Sequence, residues 1–380
     1  MKTADIVIIG AGIVGLSVAY HLAKRNAGKI VIMEKEPGAG WGETARCTGG
    51  LRHQFSSSIN VIMSSMSIPF YRTLEEETGV AVEFHSNGYM FITSKETNLE
   101  KLKKNVQMQS SLGVPTRLIS PKQANELVPA LKIDNIIGGT FCPTDGHASP
   151  DGVIQGLLRL IRKQNVSILL NEAVYSITRG KDKYFNIESK HYKLSTPIIV
   201  NATGVWAKQI GKLIGVSMPV TVHHRQVVLL EKMPILNNSI PLITDADTGW
   251  YLLRSGGGRL TTGGIDTIYP HGWDTKVQWS KIEDLVTVAT KHFPFFYNAR
   301  MQSVFVGLRS MSPDDNAILG ELPEIPGFYW ACGFSGHGFM HAPAAGEILA
   351  QLIIDKKSEL DITSLKPDRF ISSCSNNTSG

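Results

Sequence analysis

The chain has 380 residues, 42% of them apolar and 19% charged, with 38 Lys+Arg against 33 Asp+Glu for a formal charge of +5. This excludes disordered, collagen-like and mucin-like classes and leaves room for two domains or one large interleaved unit. Four cysteines, Cys47, Cys142, Cys332 and Cys374, show neither CxxC spacing nor neighbouring histidine pairs, so no metal site or disulfide framework is expected and a reducing cytoplasm fits.

The first element is "IVII", Ile6 to Ile9, a continuous β-branched run of the kind that forms a parallel strand buried on both faces. Gly10, Gly12 and Gly15 follow at G-x-G-x-x-G spacing and open an apolar helix. The first glycine permits the tight turn, the second lets a diphosphate approach the backbone, and the third lets helix and strand pack closely. The stretch Ile6 to Tyr20 lacks a cleavage site and is too short to span a bilayer, so no transmembrane segment is expected. A second strand, "KIVIMEKE", brings Glu34 to its end, 19 residues after Gly15. An acid there accepts hydrogen bonds from ribose hydroxyls and repels a 2′-phosphate, which favours FAD or NAD over NADP. The bland alternative is a solvated strand-end carboxylate.

An NAD domain normally continues with another helix–strand repeat, whereas "EPGAGWGETARCTGGLRHQF" is Gly-rich and polar. Such a segment suits a backbone wrapped along an extended ligand, with Arg46 or Arg52 supplying positive charge; a solvated loop is the competing reading. A helix then follows around "IMSSMSIPFYRTLEEETGV", alternating strands around "VEFHSNGYMFIT", and a helix over about 96–112. The one tight basic run, Lys101, Lys103 and Lys104, lies on that last helix as a solvated face, so nucleic-acid binding is not expected.

Ser149, Pro150 and Asp151 form a helix start, and the helix over 151–163 leads to "VSILLNEAV" and "STPIIVNATG", a second visit to the nucleotide-binding sheet. Between about 220 and 310 short alternating strands with turns indicate a mostly antiparallel sheet that interrupts that fold. Within it, adjacent His223 and His224 point to opposite faces and make no metal pair. "GFYWACGFSGHGFMHAPAAGEILAQLII" repeats the opening pattern, with Gly333, Gly336 and Gly338 bringing amides and a helix N-terminus to a ligand. His337 adds to that dipole or serves only as a local hydrogen-bonder.

The ordered stretches "IVIIGAGIVGLSVAYHLA", "ETARCTGGLRHQF", "NATGVWA", "GWYLLRSGGGRLTTGG", "GLRSMSPDDNAILG" and "GFSGHGFMHAPAAGEILAQL" span nearly the whole chain. Together they resemble the D-amino-acid oxidase-like (DAO) group of FAD enzymes, especially the β subunits of dye-linked L-proline dehydrogenase and heteromeric sarcosine oxidase. The resemblance implies an α/β fold in which a Rossmann-like FAD-binding domain (1–85, 145–220 and 320–365) is interleaved with a mostly antiparallel β-sheet substrate domain (86–144 and 221–319), followed by a flexible tail (366–380).

It also implies noncovalent FAD. Gly10, Gly12 and Gly15 would lie at the diphosphate, Glu34 and Lys35 at the ribose end, and Val174 near adenine. Ala45, Arg46, Thr48, Gly49 and Gly50 would pass the diphosphate and flavin, with Thr203 and Gly204 lining the cofactor. Gly333, Gly336, His337, Gly338, Phe339 and Met340 would cradle the ring. Gly307 stands where some relatives link the flavin through cysteine, and Thr261 where monomeric sarcosine oxidases carry an oxygen-activating lysine. The expected reaction is therefore dehydrogenation of an amino acid or secondary amine of the proline, sarcosine or glycine kind, by hydride transfer to flavin N5. Electrons would pass to an acceptor or partner subunit.

Among the candidate catalytic residues, Arg309 resembles the carboxylate anchor of the group, or else pairs with Asp314 or Asp315. Tyr251 either donates to the same carboxylate or fills the sheet. Arg52 and His53 fall near the flavin, His53 as a tuner of amine protonation or as a packed histidine. Rival readings are an oxidase releasing peroxide, a non-catalytic flavin-binding electron-transfer subunit, and an NAD enzyme.

Overall fold

Six short apolar runs assemble into one sheet in the computed structural model, which describes residues 2–370 apart from 182, 234–235, 237–238, 256–258 and 269–272. Their order is Ile318–Glu321, Phe328–Cys332, Ile198–Asn201, Ile6–Ile9, Ile30–Met33 and Val166–Leu169, all parallel except the first pair. The run Ile6–Ile9 is buried throughout because the sheet is covered on both sides. Ile6 and Ile8 enter the core beneath the helices, and Val7 and Ile9 enter the core on the opposite face.

Eight α-helices are described: α1 (Ile13–Lys24), α2 (Ser58–Thr78), α3 (Glu96–Ser111), α4 (Pro121–Leu127), α5 (Pro150–Ile161), α6 (Ala207–Lys212), α7 (Trp279–His292) and α8 (Gly338–Ile354). Buried residues of α1, α2, α5 and α8 share the core on one face of the parallel sheet. The other face packs against a sheet of Lys2–Thr3, Lys193–Thr196, Phe185–Glu188 and Ser176–Arg179. As read from the sequence, α5 starts with Ser149 capping the Gly152 amide at 3.2 Å and with proline in the first turn.

An eight-stranded sheet forms the second layer of the molecule. Its order is Met301–Met311, Thr221–Leu230, Arg259–Ile268, Tyr251–Ser255, Leu242–Asp245, Tyr89–Thr93, Gly138–Cys142 and Arg117–Ile119. Every pairing is antiparallel except Leu242–Asp245 with Tyr89–Thr93. Strand structure around "VEFHSNGYMFIT" is narrower than expected, since it starts only at Tyr89, with His85 making an isolated bridge to His147. A left-handed Glu83 (φ 50°) interrupts the alternation there. The polar tail from 371 onward, with Cys374, and residues 256–258 of the glycine run lie outside the described residues.

The contact of α1 with α8 carries an ion pair as well as apolar packing. Glu347 of α8 accepts from His21 Nδ1 at 2.8 Å and also bonds Arg25. The hydrogen bond from His21, with that from Arg25, outweighs burial and holds the Glu347 carboxyl down to about 2. A carboxyl depressed on folding contributes stability above its unfolded pKa of ~4.3 and loses it as pH falls towards the folded value. Glu347→Gln is therefore expected to lower Tm at neutral pH, with the gap to wild type closing as pH drops from the unfolded range to about 2. A gap that persists unchanged at the acid end would remove this pair from the stability of the interface.

Candidate cofactor and substrate site

The parallel strands deliver the glycine motif to their C-terminal ends, where open α/β sheets receive ligands. Gly10 adopts φ +103°, and its turn abuts Ala202 and Thr203 at the end of the neighbouring strand. A Cβ on Gly15 would lie 2.0 Å from the Gly10 carbonyl oxygen, so only glycine allows α1 to seat on the strand. The Gly12 N-cap has no side-chain cap; instead the next amide, Ile13, donates to Thr44 Oγ1 at 3.1 Å, which brings the segment after the second strand over the helix start.

Glu34 is 8% exposed, which rules out the solvated strand-end alternative. Its carboxylate accepts the Ala11 amide at 2.6 Å and the Glu36 amide at 2.9 Å, so it braces the glycine turn while keeping further lone pairs. The Glu172 amide donates to the Glu34 carbonyl at 2.7 Å, which places the chain leading to half-buried Val174 beside it. Lys35 extends its ammonium over the Trp206 ring at 3.4 Å. Thr203 bonds Asn201 Oδ1 at 2.7 Å, and Gly204 has φ +57°.

The two arginines of "RCTGGLRHQF" separate. Arg46 is exposed and bonds Glu43 at 3.4 Å, and its Cβ lies 3.5 Å from where a Cβ on Gly307 would stand. Arg52 turns inward, with its guanidinium 3.9 Å from the Phe55 ring centroid and 3.4 Å from His337 Nε2. Ala45 is exposed, Thr48 is half-buried beside the Tyr251 hydroxyl, and Gly50 pairs with His147 after the left-handed Gly49 (φ +77°). His53 is committed elsewhere: Nδ1 and the amide both contact Asp145 Oδ1, at 2.6 and 2.9 Å. The packed alternative therefore describes His53, and Asp145, fully buried, is a partner that sequence reasoning missed.

At the carboxy-terminal motif, Gly333 (φ +65°) and Gly336 (φ +85°) take left-handed turns before α8 begins at Gly338. Phe339 and Met340 are buried in the first turn of α8, with Tyr71 donating to the Phe339 carbonyl. The Arg309 guanidinium packs on Gly336, where a Cβ would lie 2.7 Å from Cζ. Asp314 is ion-paired with Arg369, Nε to Oδ2 at 2.9 Å. Arg52 and Arg309 thus rest on consecutive residues of one turn.

A third cation, Arg225, was not anticipated; its guanidinium is 5.8 Å from the Tyr251 ring centroid. The signal for it was pairing register, because Arg225 stands opposite Gly307 in the sheet. Tyr251 is 6% exposed, and its hydroxyl is enclosed beside Thr48. Burial pushes that phenol up to about 12, against the pull of Arg225 and Arg309. Burial first, then Arg52 and the other cations, push His337 well below its ordinary value, so the ring is neutral. Its Nδ1 is a buried atom without a partner among the described residues.

Among the described residues the one group with metal-like proximity is His53, Cys142 and Asp145, whose ligand atoms lie within 4.8 Å of one another. Within it His53 Nδ1 is held by Asp145, Cys142 Sγ lies 3.3 Å from Thr144 Oγ1, and burial, then Asp145, push the thiol up to about 12.

An extended dinucleotide fits these residues. The glycine turn at α1 lies beside a buried acid, and the second glycine-rich turn, at α8, carries an orphaned polar atom and arginines at the far end. No helix among the described residues is long and apolar enough to cross a membrane.

A model of the family described as "FAD dependent oxidoreductase" (DAO) matches residues 5–352. The chain is 30% identical to L-proline dehydrogenase from P. horikoshii, with a TM-score of 0.92 and coverage of 98% of this chain and 99% of that one. Glycine oxidase from Geobacillus kaustophilus, at 23% identity and a TM-score of 0.87 over 97% of this chain and 99% of that one, shares the fold. Mouse mitochondrial sarcosine dehydrogenase is 29% identical over 99% of this chain and 42% of its own length. Mouse mitochondrial dimethylglycine dehydrogenase is 28% identical over 97% of this chain and 44% of its own. The chain thus spans less than half the length of these curated relatives.

Proposed function

Because the chain belongs to the DAO family of FAD-dependent oxidoreductases, we propose that it oxidises the C–N bond of an amino acid or secondary amine of the proline, sarcosine or glycine class, as a dehydrogenase. The observation that carries this reading is the placement of Arg309 against Gly336, within the electrostatic reach of buried Tyr251. The names of the relatives, sarcosine, dimethylglycine and proline dehydrogenases, support the substrate class.

In this reading residues 1–85, 145–220 and 320–365 hold FAD noncovalently through the residues described above, and 86–144 with 221–319 wall the substrate. Bound FAD supplies the acceptor for the hydride leaving the substrate carbon. Arg309 grips the substrate carboxylate with two parallel N–H donors, which fixes orientation as well as charge. The Tyr251 hydroxyl, kept protonated by its raised pKa, donates to the same carboxylate. Arg52, Arg225 and Arg309 together create a positive field that favours the neutral amine, so that its lone pair is available without a strong base. His337, neutral and itself a hydrogen-bonder, adds a dipole at the α8 N-terminus.

Thr261, buried at 6% exposure, supports a dehydrogenase over an oxygen-activating lysine enzyme. The electrons then pass to an acceptor or partner subunit. Three free thiols among the described residues, Cys47, Cys142 and Cys332, suit the proposed reducing, cytoplasmic setting.

The purified protein is expected to be yellow, to bleach anaerobically with one or more members of an amino-acid and N-methyl amino-acid panel, and to be reoxidised faster by an artificial dye than by air. Fast peroxide formation would make it an oxidase, and a flavin that no amine bleaches would make it a non-catalytic electron carrier.

A further inference from the structure

The strand Met301–Met311, which carries Arg309, lies at the edge of the eight-stranded sheet and pairs with Thr221–Leu230 on its inner side. An edge strand sends alternate amides and carbonyls away from its sheet, and these need other partners. Here the two neighbours of Arg309 find them in segments of the proposed FAD-binding domain. The Ser335 amide donates to the Ser310 carbonyl at 2.8 Å, and Met311 makes an isolated bridge to Phe334, so the turn before α8 holds the strand on one side of Arg309. On the other side the Leu308 amide donates to the Glu43 carboxylate.

Glu43 belongs to a segment that is itself fixed to the glycine turn. The Gly40 amide donates to the Ala11 carbonyl at 2.8 Å, and Thr44 Oγ1 accepts the Ile13 amide at 3.1 Å at the start of α1. Residues 43 and 44 therefore tie the strand of Arg309 to the helix whose N-terminus is proposed to meet the diphosphate. The segment also lies flat on that strand: a Cβ on Gly307 would stand 3.5 Å from both Arg46 Cβ and the Arg46 carbonyl oxygen, and 3.8 Å from Glu43 Oε2. Leu308 is buried, and the Glu43 side chain is 21% exposed. Burial pushes the Glu43 carboxyl up, against the pull of the Leu308 amide, Arg46 and Lys35. The contact with exposed Arg46, at 3.4 Å, is long and solvated, so the backbone bond dominates the carboxylate's place.

We propose that Glu43 is a positioning residue: by holding the Leu308 amide it sets the backbone that aims the Arg309 guanidinium, so the segment serving the cofactor also orients the substrate's carboxylate anchor. The inference rests on the proposed anchoring by Arg309 and extends it from the side chain that grips the substrate to the one that places that grip. A guanidinium makes two parallel bonds to a carboxylate only over a narrow range of positions, so a small backbone shift loses one of them.

The test uses the full chain under saturating FAD and two probes, methoxyacetate and tetrahydrofuran-2-carboxylate, ether analogues of sarcosine and proline that keep the carboxylate and lack an amine to oxidise. Dissociation constants are read from the flavin spectrum and from the ligand-induced shift of the thermal midpoint. Glu43→Ala is expected to weaken both probes about ten-fold, as loss of one hydrogen bond to a charged group allows. Glu43→Gln keeps an oxygen within reach of the Leu308 amide and should stay within about three-fold of wild type. Glu43→Asp keeps the charge, shortens the reach by one methylene, and should resemble Glu43→Ala. On an Arg309→Lys background, whose flexible point charge needs less aiming, the effect of Glu43→Ala should shrink below about three-fold.

Unchanged binding in Glu43→Ala, an undiminished loss on the Arg309→Lys background, or Glu43→Asp matching wild type while Glu43→Gln does not, overturns the inference and leaves Arg309 as the anchor. If wild type binds neither probe, or Arg309→Ala binds both as wild type does, the anchor reading falls and this inference with it, while bleaching by the amine panel decides amine oxidation separately. Should Glu43→Ala fail to fold, the contrast between Glu43→Asp and Glu43→Gln decides.

Discussion

Arg309→Ala is expected to lower kcat/KM for the amine substrate by about 100-fold or more, chiefly through KM, while each chain still carries its FAD. Losing a charge-assisted bidentate contact to a carboxylate costs about 3 kcal/mol, which corresponds to roughly that factor. The side chain is well placed for the role because it is held from two directions. Its strand, Met301–Met311, runs antiparallel to Thr221–Leu230, and its guanidinium is pressed on the left-handed Gly336 turn. Arg309→Lys keeps the charge but loses the fork, so it should recover only part of the loss. Flavin absorbance per chain separates this outcome from a collapsed cofactor site. Steady-state constants like those of wild type would move the carboxylate to Arg52 or Arg225.

Gly15→Ala is expected to abolish FAD retention and to destabilise the chain by about 3 kcal/mol or more, at the upper end of overpacking effects. The added methyl would meet the Gly10 carbonyl oxygen at 2.0 Å and Ile8 Cγ2 at 3.4 Å. Gly10 cannot recede, because its amide donates to Met33 O at 2.8 Å and its φ of +103° belongs to the turn. The helix must lift instead, pulling Leu16 and Ala19, both fully buried, off the core. Gly12→Ala is the control: its Cβ would meet only Thr44 Oγ1, at 3.4 Å, so that variant should fold and lose cofactor affinity alone. Thermal unfolding by circular dichroism, with flavin content on the same samples, separates the two. A yellow, fully stable Gly15→Ala protein would contradict the packing described for α1.

The separation of His53 from Arg52 shows where reading residues in order runs out. Neighbours in "RCTGGLRHQF", they were expected near the same chemistry, but they turn to different partners: Arg52 to Phe55 and His337, His53 to Asp145. Asp145 lies in "CPTDG", an ordinary turn sequence, and only the bridge of His85 to His147 and the pairing of Gly50 with His147 bring that turn alongside. Arg225 was invisible for a similar reason. One arginine in an alternating strand has no local signature, and its position depends on a register shift between His224 and Gln226 in pairing with Arg259–Ile268.

What the sequence by itself determined is the local, short-range part: the glycine turns at α1 and α8, the buried strands between them, the acid at Glu34, and through these the family and its fold. Each depends on backbone freedom, apolar periodicity or capping within a few residues, so it is written where it acts. Only the tertiary structure decided which arginines converge on the Gly336 turn, that His53 is spent on a buried aspartate, and that Glu43 reaches the strand of Arg309. Those arrangements join residues up to 285 positions apart, as Arg52 to His337, and no local preference encodes them. They are set by how two sheets and their covering helices close around one interior.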